Sequence, residues 1–152
     1  MTEDGGQAGE EVDEETAREE NVKHMEFIQV IIARLAANSF HVKTWCLTIT
    51  AATYGVAVSR VDWRLLMVGL FVIVVFWLLD SYFLHQERLF RLLYDHVRSD
   101  VRAVPRFSMD TTRFQPGAKR HAAFFSSTLT SFYGMLCAMG VALLLTRYYS
   151  LF

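Results

Sequence analysis

Residues Leu65–Phe83 read LLMVGLFVIVVFWLLDSYF, an apolar run whose only charge is Asp80. A bilayer core is about 30 Å thick and takes about 20 apolar residues in a helix. The run meets that length. Two more apolar stretches flank it, Thr44–Ser59 and Ala122–Thr146. The later one is long enough, and the earlier one becomes so if extended toward Phe40. The expected fold is therefore all-α: a polytopic membrane protein with three transmembrane helices. Of 152 residues, 53% are hydrophobic. Removing three spans leaves too little chain for a separate enzyme domain of ordinary size.

The near-neutral net charge of −1 conceals a polar separation. Residues 1–20 hold nine acids against Arg18 alone, and the rest of the chain is basic. With Gly5, Gly6 and Gly9 and almost nothing apolar, residues 1–20 read as a disordered acidic tail. This start lacks the basic then apolar order of a secretory signal, so insertion is expected to rely on the internal spans. Short loops rich in Lys and Arg stay in the cytoplasm. Residues 84–121 carry Arg88, Arg91, Arg98, Arg102, Arg106, Arg113, Lys119 and Arg120, against two bases in Arg60–Arg64. The expected topology puts the N-terminus and residues 84–121 in the cytoplasm and the C-terminus outside.

Helical spacing continues outside the apolar runs. Met25, Ile28, Ile32 and Leu35 follow 3-4-3 steps, and no Pro or Gly interrupts Asn21–Tyr54. The second span continues as a helical pattern until Pro105. Residues 21–104 are thus expected to form a long antiparallel hairpin, with two spans joined near Val61–Asp62 and cytoplasmic extensions. Facing residues then have numbers summing to about 123. Four opposite-charge pairs fall near that sum: Lys43 with Asp80, Arg34 with Glu87, Glu26 with Arg98, and Lys23 with Asp100. Exposed pairs contribute only about 0–1 kcal/mol each, so they select register more than they stabilise it. Asp80 has two readings. Either Lys43 or Thr44 satisfies it within the hairpin, or it belongs to a polar ring lining an oligomeric pore.

The third span, in residues 122–152, places Ser126, Thr130, Gly134, Ala138 and Ala142 at a strict spacing of four. The first span has a shorter row in Ala51, Gly55 and Ser59. Small residues let helix backbones approach in lipid, so these rows are expected to pack on each other or to join subunits. Residues 105–121 read as a basic connector loop. Arg106, Arg113, Lys119 and Arg120 interleave there with Phe107, Met109 and Phe114, which suits an anionic lipid surface better than nucleic acid.

Catalytic and metal signatures do not emerge. P-loop, GxSxG, HExxH and CxxC motifs are missing, and the five histidines are dispersed. Cys46 and Cys137 lie within spans and read as packing residues. The expectation is a protein without cofactor or metal that is not an enzyme.

The run FWLLDSYFLHQERLFRLLYDHVR, Phe76–Arg98, resembles segments of small multi-span bacterial membrane proteins. The layout of Met25–Arg102 also looks like that of two-span helical-hairpin effectors of bacterial conflict systems. The resemblance implies the bacterial inner membrane and a homo-oligomeric, non-enzymatic protein acting as a regulated pore or membrane-disrupting effector. The alternative is a membrane anchor or adaptor whose hairpin and acidic tail recruit a soluble cytoplasmic partner.

Overall fold

The computed structural model describes residues 4–60, 62–99 and 107–149. Among them there is no strand. Four α-helices follow in order: α1 (Asp4–Arg60), α2 (Trp63–Ser99), α3 (Arg120–Phe124) and α4 (Ser127–Tyr149), with a 3₁₀ turn at Thr112–Phe114.

Helix α1 begins at Asp4, so the acidic segment read as disordered is helical from that residue onward. Glutamate and alanine are good helix formers. Glu14 precedes Arg18, and Glu19 precedes Lys23, by the four residues that favour attraction along a helix face. The helix then runs unbroken for 57 residues, about 85 Å at 1.5 Å per residue.

The turn into α2 is short. The Asp62 N–H donates to the Ala57 carbonyl at 3.2 Å, and the Asp62 carboxylate caps α2 by accepting from the Arg64 N–H at 2.9 Å. Helix α2 therefore folds straight back along α1. The α1 seam comprises His24, Ile28, Val42, Cys46, Thr50, Tyr54 and Ala57, all buried. It meets Leu66, Gly69, Ile73, Asp80, Leu89, Leu93 and Val97 on α2. Helix α4 packs on α2 through Leu129, Tyr133 and Leu136, at helical spacing, with Gly140 one turn further on.

Two of the three expected spans remain as helices long and apolar enough to cross a membrane, α2 and α4. The end of α1 falls short alone because Lys43, four threonines, Tyr54 and Gly55 dilute it. Only 22% of the apolar window in each of α2 and α4 is buried. A core helix of a water-soluble protein would be mostly covered. Here Phe71, Val74, Leu78, Met135 and Val141 face outward.

The last apolar stretch does not start as one helix at Ala122. It breaks after α3, at Phe125 and Ser126. Two side chains of α2 take carbonyls at that break: Arg88 donates to the Ala122 carbonyl at 3.0 Å and the Trp77 indole donates to the Phe124 carbonyl at 3.1 Å. Carbonyls satisfied from outside no longer demand a continuing helical ladder.

The described part of the connector lies on the far end of the hairpin. Met109 and Phe114 cover a cluster of Ile28, Leu93 and Val97. His24 Nε2 lies 3.1 Å from the Ser108 carbonyl, and Phe107 sits over the His24 and Phe27 rings at a φ of 58°. The Thr112 hydroxyl and N–H both donate to Asp110, holding its carboxyl below its ordinary range. Met109 and Phe114 of the connector are thus spent on the hairpin, while Phe107 stays 45% exposed. Arg113, Lys119 and Arg120 are left exposed, and Arg106 lies outside the described residues.

Candidate functional site

The most concentrated polar chemistry in the chain surrounds Asp80. This carboxylate has no solvent exposure. Helix α1 brings Lys43 to it, with Nζ 2.7 Å from Oδ2. One turn earlier on the same stripe, the Ser39 hydroxyl donates to Oδ1, and Lys43 donates to the Ser39 oxygen at 2.7 Å. From α4, the Tyr133 hydroxyl donates to Oδ2 at 3.0 Å. Three helices therefore close on a single acid. Thr44, the other donor considered for Asp80, bonds instead to the Phe40 carbonyl of its own helix.

Aromatic packing holds this clasp in place. Tyr133 is fully buried, and its ring stacks on Trp77 at 5.9 Å and 9°. Phe124 also stacks on Trp77, at 4.7 Å and 6°. Phe132 meets Tyr133 edge-on at 5.0 Å. A buried carboxyl held by an ammonium and two hydroxyls in such a setting is suited to a structural role, because both of its oxygens already have partners.

Two of the other three expected charge pairs are not made among the described residues, and the third lies partly outside them. Glu87 is nearly buried and pairs with Arg91 on its own helix at 2.6 Å rather than with Arg34. Glu26 and Arg98 are exposed and make no ion pair among the described residues. Lys23 is exposed and Asp100 lies outside the described residues. The register itself is close to the expected sum, since Gln29 donates to the Tyr94 hydroxyl at 3.0 Å and Lys43 meets Asp80. Equal height along two helices does not mean equal azimuth. Arg34 and Glu26 stand on the outer surface of α1, beside the seam residues and not among them.

The small-residue rows also face away. Thr130, Ala138 and Ala142 are exposed and Ser126 is half-buried. A side chain added at Gly134 or Gly55 would meet nothing within 4 Å. Ala51 and Gly55 are exposed on α1. These rows do not pack on each other within the chain. The close approach is made elsewhere: Tyr54 lies across Gly69 of α2 and Gly140 of α4. A Cβ at Gly140 would overlap the Tyr54 hydroxyl and come within 2.9 Å of Leu70, so both glycines are cut to receive one large ring.

Sequence reasoning missed Ser39, Tyr133, Gly69 and Gly140. Ser39 was open to detection, standing four residues before Lys43 on a helix known to be unbroken. Nothing local reports that α4 turns Tyr133 toward Asp80. Among the described residues no group of three His, Cys, Asp or Glu could hold a metal ion. No known protein family, characterised protein or solved structure matches the chain.

Proposed function

We propose that the chain is a non-enzymatic integral membrane anchor, and that the far end of its helical hairpin and its acidic first segment recruit a soluble cytoplasmic partner. The observation that carries this reading is the closure of the Asp80 clasp inside one chain. Asp80 is fully buried, paired and hydrogen-bonded, so it does not present a polar group to a conduction path. What is left for function is the part beyond the apolar segments, residues 4–40 of α1 and the second half of α2. The α1 portion alone is about 55 Å long, and its first half carries the acids. The exposed apolar faces of α2 and α4 support embedding in lipid, because soluble monomers rarely expose patches beyond a few hundred Å².

The test is reconstitution of the full chain into liposomes loaded with a potassium-sensitive dye. The anchor reading expects flux equal to that of protein-free liposomes. The rival reading, a regulated pore or membrane-disrupting effector, draws on the outward Ala51–Gly55 and Thr130–Gly134–Ala138–Ala142 faces, which a second copy would cover. Flux that rises with protein density and falls in Gly134→Leu would establish that rival and overturn the anchor.

A further inference from the structure

A second polar feature lies two residues past Phe83, where α2 leaves its apolar run. His85 is 5% exposed, and its Nδ1 is buried without a hydrogen-bond partner. Buried polar nitrogens are nearly always paired, since leaving one unpaired costs free energy. The charges acting on this imidazole are the guanidiniums of Arg120 and Arg88. Arg88 sits one helical turn on from His85. Its bond to the Ala122 carbonyl pins α3 against α2, with Arg120 as the first residue of α3.

Among the described residues none of these three groups is in an ion pair. The ion pairs among the described residues are Lys43–Asp80 and Arg91–Glu87, so the nearest acid on α2 is already engaged. The Arg88 guanidinium spends one N–H on Ala122 and keeps others. Arg88 follows His85 by one helical turn, and its bond to Ala122 holds the start of α3, with Arg120, against α2, so three groups able to donate to an anion are neighbours with no ion-pair partner among the described residues. Their depth identifies the source of that anion. Tyr82, one helical turn before His85, and Phe125, directly after α3, are 54% and 68% exposed. Exposed aromatics of this kind mark the boundary between membrane and water.

We propose that His85, Arg88 and Arg120 form a site for the phosphate headgroup of an anionic phospholipid. The site rests on the membrane embedding argued above. It goes beyond a general basic surface, because it requires a buried imidazole and two guanidiniums brought together by the α2–α3 contact.

The experiment uses the full chain in nonionic detergent, titrated with phosphatidylglycerol, with phosphatidylcholine and with inorganic phosphate. Lipid retention is read by native mass spectrometry and by the shift in unfolding temperature. One phosphatidylglycerol should be retained saturably. Arg120→Gln and His85→Leu should each weaken it about tenfold or more, as expected for loss of a charge-assisted donor. Arg120 is exposed and its side chain makes no hydrogen bond among the described residues, so its variant should keep the fold even if His85→Leu does not. Arg113→Gln, an exposed base in the 3₁₀ turn, should have no effect. Equal weakening by Arg113→Gln would reduce the site to diffuse charge and overturn it. So would inorganic phosphate binding as tightly as the lipid, which would make the ligand a free anion. Carbonate extraction separates the two levels of the argument. Release of the chain from membranes sinks the embedding itself, whereas a retained chain without saturable lipid binding sinks only the site.

Discussion

Removing Lys43 is the sharpest test of the clasp. Lys43→Met keeps the length and apolar stem of the side chain but deletes the ammonium 2.7 Å from Asp80. The fully buried carboxylate would then retain only the Ser39 and Tyr133 hydroxyls. Breaking a buried ion pair from one side costs about 3–5 kcal/mol. The two surviving donors place the expected loss at the lower end, about 3 kcal/mol. Tyr133→Phe removes one hydrogen bond and leaves the salt bridge, so its cost should be about 1–2 kcal/mol. The double variant Lys43→Met with Asp80→Leu removes both charges. It should recover most of the loss, the remainder being the Ser39 and Tyr133 hydroxyls left without their acceptor. The assay is reversible unfolding in mixed micelles by SDS titration, followed by circular dichroism and by Trp77 fluorescence, which senses the stack on Tyr133 directly. A loss below about 1 kcal/mol for Lys43→Met would refute the reasoning. A double variant no more stable than the worse single variant would refute it as well, since the penalty would then come from packing and not from an orphaned charge.

Gly140→Leu should destabilise the fold by about 1–3 kcal/mol through overpacking against Tyr54. Gly134→Leu should leave unfolding unchanged, and Tyr54→Phe should rescue much of a Gly140→Ala variant; equal effects at both glycines in the same SDS titration would contradict this packing. In a background lacking Cys46 and Cys137, a cysteine pair at positions 29 and 94 should crosslink efficiently and a pair at 34 and 87 poorly, which gel mobility under oxidising conditions reads. Reporter fusions at Asp62 and Asp110 should give external and cytoplasmic signals respectively, and the reverse would overturn the orientation drawn from the basic residues.

The hairpin was legible because it depends on features that are local and continuous. An uninterrupted stretch before Tyr54, an apolar run over Leu65–Phe83 continued as a helical pattern toward Pro105, and a short polar turn favour one way to fold, and the turn brings Lys43 and Asp80 to similar heights. Azimuth was not legible to the same degree. Arg34 and Glu26 lie only one or two residues from seam positions, yet each residue turns a helix by about 100°. The acidic segment shows a related contrast: composition measures the lack of a core, while helical propensity and charge spacing measure whether a helix extends without one. The small-residue rows do not pack on each other within the chain: spacing reveals that a face is smooth and not what lies against it. Gly69 and Gly140 do their work singly, as recesses for Tyr54, and a search for repeats passes over them.

The position of the clasp explains why a chain with so much apolar surface would retain a buried acid. One apolar cluster, around Cys46, Tyr54, Ile73 and Tyr133, lies on one side of Asp80; the other, around Ile28, Leu93 and Val97, lies on the other. Apolar packing is weakly directional, and a slip of one helical turn, about 5.4 Å, would exchange Leu, Ile and Val for neighbours of similar kind. The same slip would carry Lys43 and Ser39 out of reach of Asp80 and leave a buried carboxylate unpaired, at a cost of several kcal/mol. The polar node thus adds little to net stability and much to the uniqueness of the register. On that account the Lys43→Met, Asp80→Leu variant regains stability while losing the one alignment in which positions 29 and 94 meet, and its crosslinking should spread to positions one turn away.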